Sequence, residues 1–540
     1  MTKRIVVLMC VFCFWAQNIV AATVVRGNWN IIPLPSEVNE IKSKGFTLKN
    51  GCTVRIAQAG DESENMQRNA RMLIDGVAKA VNISLKESNK KHNGEVALAI
   101  NSALGNEQYS IHADSHTISI DGGSAKAVFY GIQTLIKALP ANCLDIKEVT
   151  LPAVQISDAP RFAYRGFMID ESRHFFGLDY IKQVIDMLAL HNINYFHWHL
   201  TDDQGWRIEI KKYPKLTEVG SWRSESITEA GGNNFDGTPV SGFYTQDEAR
   251  QVIAYAAERY ITVIPEIDLP GHMLAALASY PELGCTGGPY EVATRYGVFD
   301  DVLCAGNDAT LQFAKDVLQE IMDIFPSEYI HIGGDECPKK IWKTCPKCQA
   351  KITELALKDI KGHSKEDQLQ TWMMAQLEKM INSRGKKMMG WDEILEGRPS
   401  KTATVLAWTS VDASIRAARE GHNTIVCPIS NFYFSNRHWN KLTGIESLKH
   451  VYDLDPVSDK LSSPDEQQRI IGAEGCIWTE WVKDGEKLEW ELLPRLAALC
   501  EVQWTRRDLR NLDSFVERLR HMQHIYAARG YRYRKDLLPE

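Results

Sequence analysis

The sequence predicts an α/β fold in which a (β/α)8 barrel follows a small α+β domain, and three observations predict it. Beyond about residue 158, short apolar runs alternate with amphipathic stretches almost to the C-terminus; eight such runs can be counted; and the residues closing them are rich in acids and tryptophan. The 540-residue length holds both domains, and 44% hydrophobic with 24% charged residues is the composition of a chain with a large buried core.

The elements follow in order. Lys3 and Arg4, an apolar run from Ile5 to Trp15 and the small residues Val20, Ala21 and Ala22 read as a signal peptide over 1–22. The run is shorter than the roughly 20 apolar residues of a spanning helix, and no later segment reaches that length, so no membrane span is expected. The mature chain is expected to be exported, either to the periplasm or out of the cell. Residues 23–157 mix alternating strands such as Tyr109 to His112 and Thr117 to Ile120 with a helix over Ala127 to Leu139, a small α+β domain. Asp158-Ala159-Pro160-Arg161 breaks both periods and marks the junction.

From 158 to 540 the expected barrel strands are Gly166 to Asp170, Asn194 to Thr201, Thr262 to Asp268, Tyr329 to Gly333, Lys387 to Trp391, Thr404 to Trp408, Thr424 to Pro428 and Ile471 to Trp478. Tyr180 to His191, Thr310 to Phe325, Gln368 to Ser383 and Ser414 to Glu420 carry apolar residues at helical spacing between them. An open doubly wound sheet would need a Gly-rich phosphate-binding turn after its first strand, and none is present, which favours the closed (TIM) barrel.

A barrel gathers its reacting groups just after the C-terminal ends of its strands. The densest chemistry there is His331-Ile332-Gly333-Gly334-Asp335-Glu336. Neighbouring side chains on a strand point to opposite faces, so Asp335 and Glu336 enter one pocket only if the backbone leaves strand geometry, which the Gly pair permits. Converging carboxyls disfavour each other's ionisation, and one protonated acid beside one anion suits glycoside cleavage. Tryptophans at Trp391, Trp408 and Trp478 close further strands and form a candidate sugar platform. A net charge of -7 with no basic run lacks the footprint of a nucleic-acid binder.

Arg165 to Phe175 (RGFMIDESRHF), His197 to Trp206 (HWHLTDDQGW), Pro270-Gly271-His272 and Gly333 to Glu336 (GGDE) together resemble glycoside hydrolase family 20, the β-N-acetylhexosaminidases, across both domains. The resemblance implies a glycan substrate and release of terminal β-linked GlcNAc or GalNAc with retention, the substrate's own acetamido group serving as nucleophile. It implies Glu336 as general acid and base, Asp335 as the orienting anion, and Tyr433 holding the acetamido oxygen. Trp391, Trp408 and Trp478 would wall the acetamido group and ring, and Arg165 and Glu480 would bind ring hydroxyls. Asp202 and His272 would tune the acid, although His272 reads equally as a structural histidine. The family usually places an aspartate two residues after the tyrosine; here Ser435 stands there, followed by Asn436, Arg437 and His438. Ser435 and Arg437 are donors suited to an anionic substituent, so 6-O-sulfated GlcNAc is an expected substrate.

Two other readings start from the same residues. His197, His199, Asp202 and Asp203 could chelate a metal in a metal-dependent barrel hydrolase, though no second ligand cluster appears at later strand ends. A catalytically silent glycan-binding protein would be expected to lack the acid pair, and both members are present. No cofactor and no metal are expected. Of the 12 cysteines, Cys10 and Cys13 fall in the signal; Cys285 and Cys304 are the favoured disulfide pair. Cys337, Cys345 and Cys348 include a zinc-knuckle-like Cys-Pro-Lys-Cys, with only three thiols nearby and no histidine at finger spacing. Nothing in the sequence fixes an oligomeric state.

Overall fold

The computed structural model describes residues 25–141, 146–360, 362–435, 442 and 444–538. In its first part, a seven-stranded mixed sheet runs from Glu37–Glu40 at one edge through Val154–Asp158, Tyr109–Ala113, Thr117–Gly122, Glu95–Ile100 and Thr53–Gln58 to Lys86–Glu87. The hairpin between Tyr109–Ala113 and Thr117–Gly122 turns on Asp114, whose carboxylate accepts the backbone N–H groups of His116 and Thr117. Helices Ser63–Val81 and Ala125–Ala138 pack on this sheet and on each other. Ser124 caps the second by accepting the Ala127 N–H at 3.2 Å.

The barrel is closed by eight parallel strands in sequence order: Tyr164–Asp170, Tyr195–His199, Thr262–Leu269, Tyr329–Gly333, Lys387–Trp391, Thr404–Ala407, Thr424–Val426 and Ile470–Ile477. All eight expected strands are present within a few residues of their expected bounds, and the fold class is borne out. They were legible because strands covered on both faces read as nearly unbroken apolar runs; every residue of Tyr164–Asp170 is buried. Met168, Ile264, Met389, Leu406, Ile425 and Cys476 fill the barrel interior, while helices such as Leu178–Leu190 and Asp308–Ile324 bury their apolar faces outside it. No helix among the described residues is long and apolar enough to cross a membrane.

The last strand of the seven-stranded sheet ends at Asp158 and the first barrel strand starts at Tyr164. Asp158 is buried at this seam, accepting from Tyr109 Oη at 2.7 Å, Ser36 N at 2.9 Å and Trp504 Nε1 at 2.9 Å. Arg165 crosses the same seam. Its guanidinium donates to Glu107 at 2.9 Å, to the Tyr130 hydroxyl at 2.7 Å and to the Asn192 and Phe162 carbonyls, and it lies over the Trp504 ring. The expectation that Arg165 binds a ring hydroxyl is therefore corrected. Arg165 is the second residue of its strand, so it faces the N-terminal end of the barrel, away from the end where loops gather.

Candidate active site

The loops at the C-terminal ends of the strands enclose a cavity of about 450 Å³. The fourth strand delivers its acids through an irregular exit: Gly333 and Gly334 adopt φ of 64° and 99°, and Glu336 itself has φ 42°. A side chain at Gly333 would place Cβ 1.7 Å from Asp268 Oδ1, so glycine is required both for the turn and for that approach. The departure from strand geometry brings Asp335 and Glu336 to one side. Both line the cavity, and their carboxyls lie 3.8 Å and 3.5 Å from the same nitrogen, His272 Nε2.

Their environments differ. Glu336 leaves 40% of its side chain exposed, whereas Asp335 is buried and its Oδ1 has no hydrogen-bond partner. Burial pushes Asp335 up to about 6; the His272 imidazolium opposes that rise, and Glu266 and Glu336 add to it. His272 itself is held protonated: burial works against its charge, but Asp202 and Asp203, at 3.3 Å and 3.0 Å from Nδ1, raise its pKa well above the usual range. Asp202 is held well below the carboxylate range, because Arg173 and His272 outweigh its burial. The short hairpin of Thr201–Asp202 with Gly205–Trp206 presents both aspartates, and Asp203 Oδ1 also accepts the Leu274 N–H at 3.0 Å, fixing the His272 loop.

Below this layer the second-strand histidines are spent on carboxylates. His199 lies 2.5 Å from Glu266 and 3.0 Å from Asp202, one contact through each ring nitrogen, and these acids raise its pKa well above the usual range despite burial. Both ring nitrogens of His199 are thereby engaged by carboxylates. His197 Nδ1 meets Glu474 at 2.8 Å, and Glu474 takes the Tyr164 hydroxyl at 2.5 Å.

The aromatic wall is built from three strand ends. Trp408 stacks on Tyr433, with ring centroids 5.9 Å apart at 12°, and Tyr433 meets Trp478 at 5.9 Å. Glu393 accepts the Trp408 indole N–H at 2.9 Å and Asp392 accepts the Trp408 backbone N–H at 2.8 Å. Burial, with Asp335 nearby, raises Glu393 to about 8. Tyr433 is held by pairing with the eighth strand, where Phe434 N donates to Cys476 O and Cys476 N to Phe432 O, both at 2.8 Å. Trp391 is not among the lining residues: it is fully buried one layer deeper, donating Nε1 to Glu266 at 2.9 Å and packing behind Trp478. Its expected place in the wall is corrected to a backing position.

Arg173 occupies the place expected for Arg165. It lines the cavity beside Glu480, bonded to Asp202 at 2.7 Å, Gln204 at 2.7 Å and Asp170 at 3.2 Å. It stands three residues past the first strand's end and inside the same eleven-residue motif, so the rule that reacting groups follow the C-terminal ends of the strands points to it rather than to Arg165. Sequence reasoning also missed Asp268, which the third strand carries beside Asp335 and whose two carboxylate oxygens lack partners. Ser435 lines the cavity with Oγ accepting the Trp478 N–H at 2.9 Å; Arg437 lies outside the described residues. The expected Cys285–Cys304 disulfide is absent, and both thiols are free.

Residues 162–507 match the glycosyl hydrolase family 20 catalytic domain, and residues 28–159 match that family's domain 2. A beta-hexosaminidase of Porphyromonas gingivalis is 40% identical over 505 residues, covering 91% of this chain and 62% of that one. A beta-hexosaminidase of Akkermansia muciniphila is 32% identical over 441 residues, covering 79% of this chain and 85% of that one. The chain thus spans about three fifths of the Porphyromonas relative's length. Among solved structures, a family 20 exo beta-N-acetylglucosaminidase from Vibrio harveyi in complex with N-acetylglucosamine superposes with a TM-score of 0.82 at 29% identity, covering 95% of this chain and 79% of that one.

Proposed function

This chain belongs to glycoside hydrolase family 20, and from that premise we propose that it is an exo-acting, retaining β-N-acetylhexosaminidase releasing terminal β-linked GlcNAc or GalNAc. The observation that carries the proposal is the buried, partnerless Oδ1 of Asp335 in a cavity walled by Trp408, Tyr433 and Trp478. An unsatisfied buried carboxylate is costly, and a substrate N–H is a partner that would satisfy it.

The chemistry then runs in two displacements. The substrate's acetamido oxygen attacks C1 while Glu336 gives its proton to the departing glycosidic oxygen. Positive charge spreads onto the oxazolinium ring, where anionic Asp335 accepts its N–H and Tyr433 donates to its oxygen. A water, deprotonated by Glu336, attacks C1 from the opposite face, returning the acetamide and restoring the starting anomeric configuration. His272, held by Asp202 and Asp203, positions both acids. Arg173 and Glu480 would hold the ring hydroxyls. Glu336→Gln should lose roughly 100-fold or more on a chitobiose-type substrate and far less on an aryl glycoside with an acidic phenol, because only the first needs a protonated leaving oxygen. Equal losses on both would remove Glu336 as the acid.

Ser435 favours a finer reading, that 6-O-sulfated GlcNAc is accepted. A hydroxyl, which can donate, stands in the place of a repelling carboxylate, and its Oγ accepts the Trp478 N–H. Ser435→Asp should depress turnover of the aryl 6-O-sulfo glycoside about 10-fold more than that of the plain sugar; an equal effect on both would discard sulfate recognition. Export, to the periplasm or beyond, is part of the same proposal and rests on residues 1–22.

A further inference from the structure

Four cysteines from three separate segments meet beside the catalytic loops. Cys285 follows the turn Pro281–Leu283, Cys304 precedes helix Asp308–Ile324, and Cys345 and Cys348 open helix Pro346–Glu354. Their sulfurs lie within 4.8 Å of one another, with Cys285–Cys348 and Cys304–Cys345 at 3.8 Å and Cys304–Cys348 at 3.7 Å. A disulfide needs about 2.05 Å between sulfurs. A tetrahedron of thiolates around zinc, with Zn–S of about 2.3 Å, has edges of about 3.8 Å. Cys304 is nearly equidistant from two partners, and so is Cys348, as vertices of a tetrahedron are and members of two disulfide pairs are not. We propose that Cys285, Cys304, Cys345 and Cys348 bind one structural zinc ion that ties the loop bearing His272 to the loop bearing Asp335 and Glu336.

The surroundings are built for close approach. A Cβ at Gly306 would lie 2.4 Å from Cys348 Cα and backbone N, so only glycine lets the Cys304 segment reach the knuckle. Cys345 is the N-cap residue of its nine-residue helix, with Pro346 in the first turn. The Gly284–Leu303 bridge aligns the Cys285 and Cys304 segments, and Cys304 N donates to Leu283 O at 2.8 Å. Leu303 carries the link onward: its N–H donates to Pro270 O at 3.0 Å, two residues from His272, and its carbonyl takes the Trp342 indole N–H at 3.0 Å. The expectation of no metal came from counting local thiols. The Cys-Pro-Lys-Cys knuckle has its remaining two ligands in the pair expected to form a disulfide, while Cys337 stays outside the cluster.

Binding replaces four S–H protons by one divalent ion, leaving a site of charge 2−, so affinity falls steeply on acidification. Zinc is redox-inert, which suits a site in an exported chain, where paired disulfides are the competing outcome. The test is elemental analysis and intact mass of the full chain purified without reductant or chelator. Expected are one zinc per chain, a mass with all four cysteines reduced after denaturation, and a melting temperature lowered by about 5 °C or more when zinc is stripped with a chelator and restored by zinc alone. The Cys345→Ser/Cys348→Ser variant should lose the zinc and Cys337→Ser should keep it. Zinc-free protein lighter by four hydrogens, with these cysteines in two disulfides, would overturn the proposal without touching the hydrolase reading. So would stoichiometric zinc that survives the double substitution. If that variant does not fold, the wild-type metal content and mass decide alone.

Discussion

At the bottom of the cavity Asp335 has to be anionic to hold a substrate amide, yet burial has raised its pKa from 3.8 to about 6. A carboxyl raised on folding contributes stability that is fully present below its unfolded pKa and is lost as pH rises through its folded pKa. The folded protein is therefore expected to lose stability between pH 3.8 and about 6 through this group. Asp335→Asn should remove that dependence, gaining on the order of 2 kcal/mol at pH 7 with the advantage gone below about pH 4, while activity falls roughly 100-fold or more. Denaturant melts across pH check the first half; an Asn variant no more stable at pH 7 than the parent would contradict it. The same ionisation predicts that kcat/KM of the parent climbs with pH through an acid limb near 6, because only the anion accepts the amide N–H.

The strand-exit turn at Gly333 and Gly334 converts a regular element into a site. Gly333→Ala adds left-handed strain and a Cβ that meets Asp268 Oδ1, so it should cost about 3 kcal/mol and pull Asp335 off its position. A variant with parental melting temperature and kcat would show the turn to be dispensable. At this scale most of the architecture was legible in the sequence, because doubly buried strands are apolar runs and the acids cluster where those runs stop. Arg165 and Arg173 show where legibility ended. Both lie in one motif, but Arg165 sits at the N-terminal end of the strand and Arg173 just past its C-terminal end, so only Arg173 reaches the cavity, a distinction that a match to the motif as a whole does not carry. Trp391 misled for a related reason: a strand-end indole can line a cavity or back it, and only the neighbouring Trp478 ring decides. The cysteines could not be grouped, since their meeting depends on how two long loops fold over each other.

Across the whole molecule, the seam between the seven-stranded sheet and the barrel is held by buried polar groups, with Arg165 against Glu107 and Tyr130, and Asp158 against Tyr109 and Trp504. Arg165→Ala leaves Glu107 with Lys126 alone and should destabilise the chain by about 3 kcal/mol with KM nearly unchanged. Arg173→Ala should instead raise KM about 10-fold or more, because it removes a donor at the cavity wall. Steady-state kinetics beside thermal melts separate the two, and a KM defect in the Arg165 variant would return that residue to the site. The central claim, that the substrate's acetamido group is the nucleophile before which Asp335 and Tyr433 are arranged, is tested most directly with aryl β-glycosides carrying acetyl, fluoroacetyl, difluoroacetyl and trifluoroacetyl groups on the 2-amine. Fluorine weakens the attacking carbonyl oxygen, so kcat should fall steadily, by more than roughly 100-fold across the series. A rate indifferent to fluorine would mean that an enzyme group, and not the substrate, attacks C1.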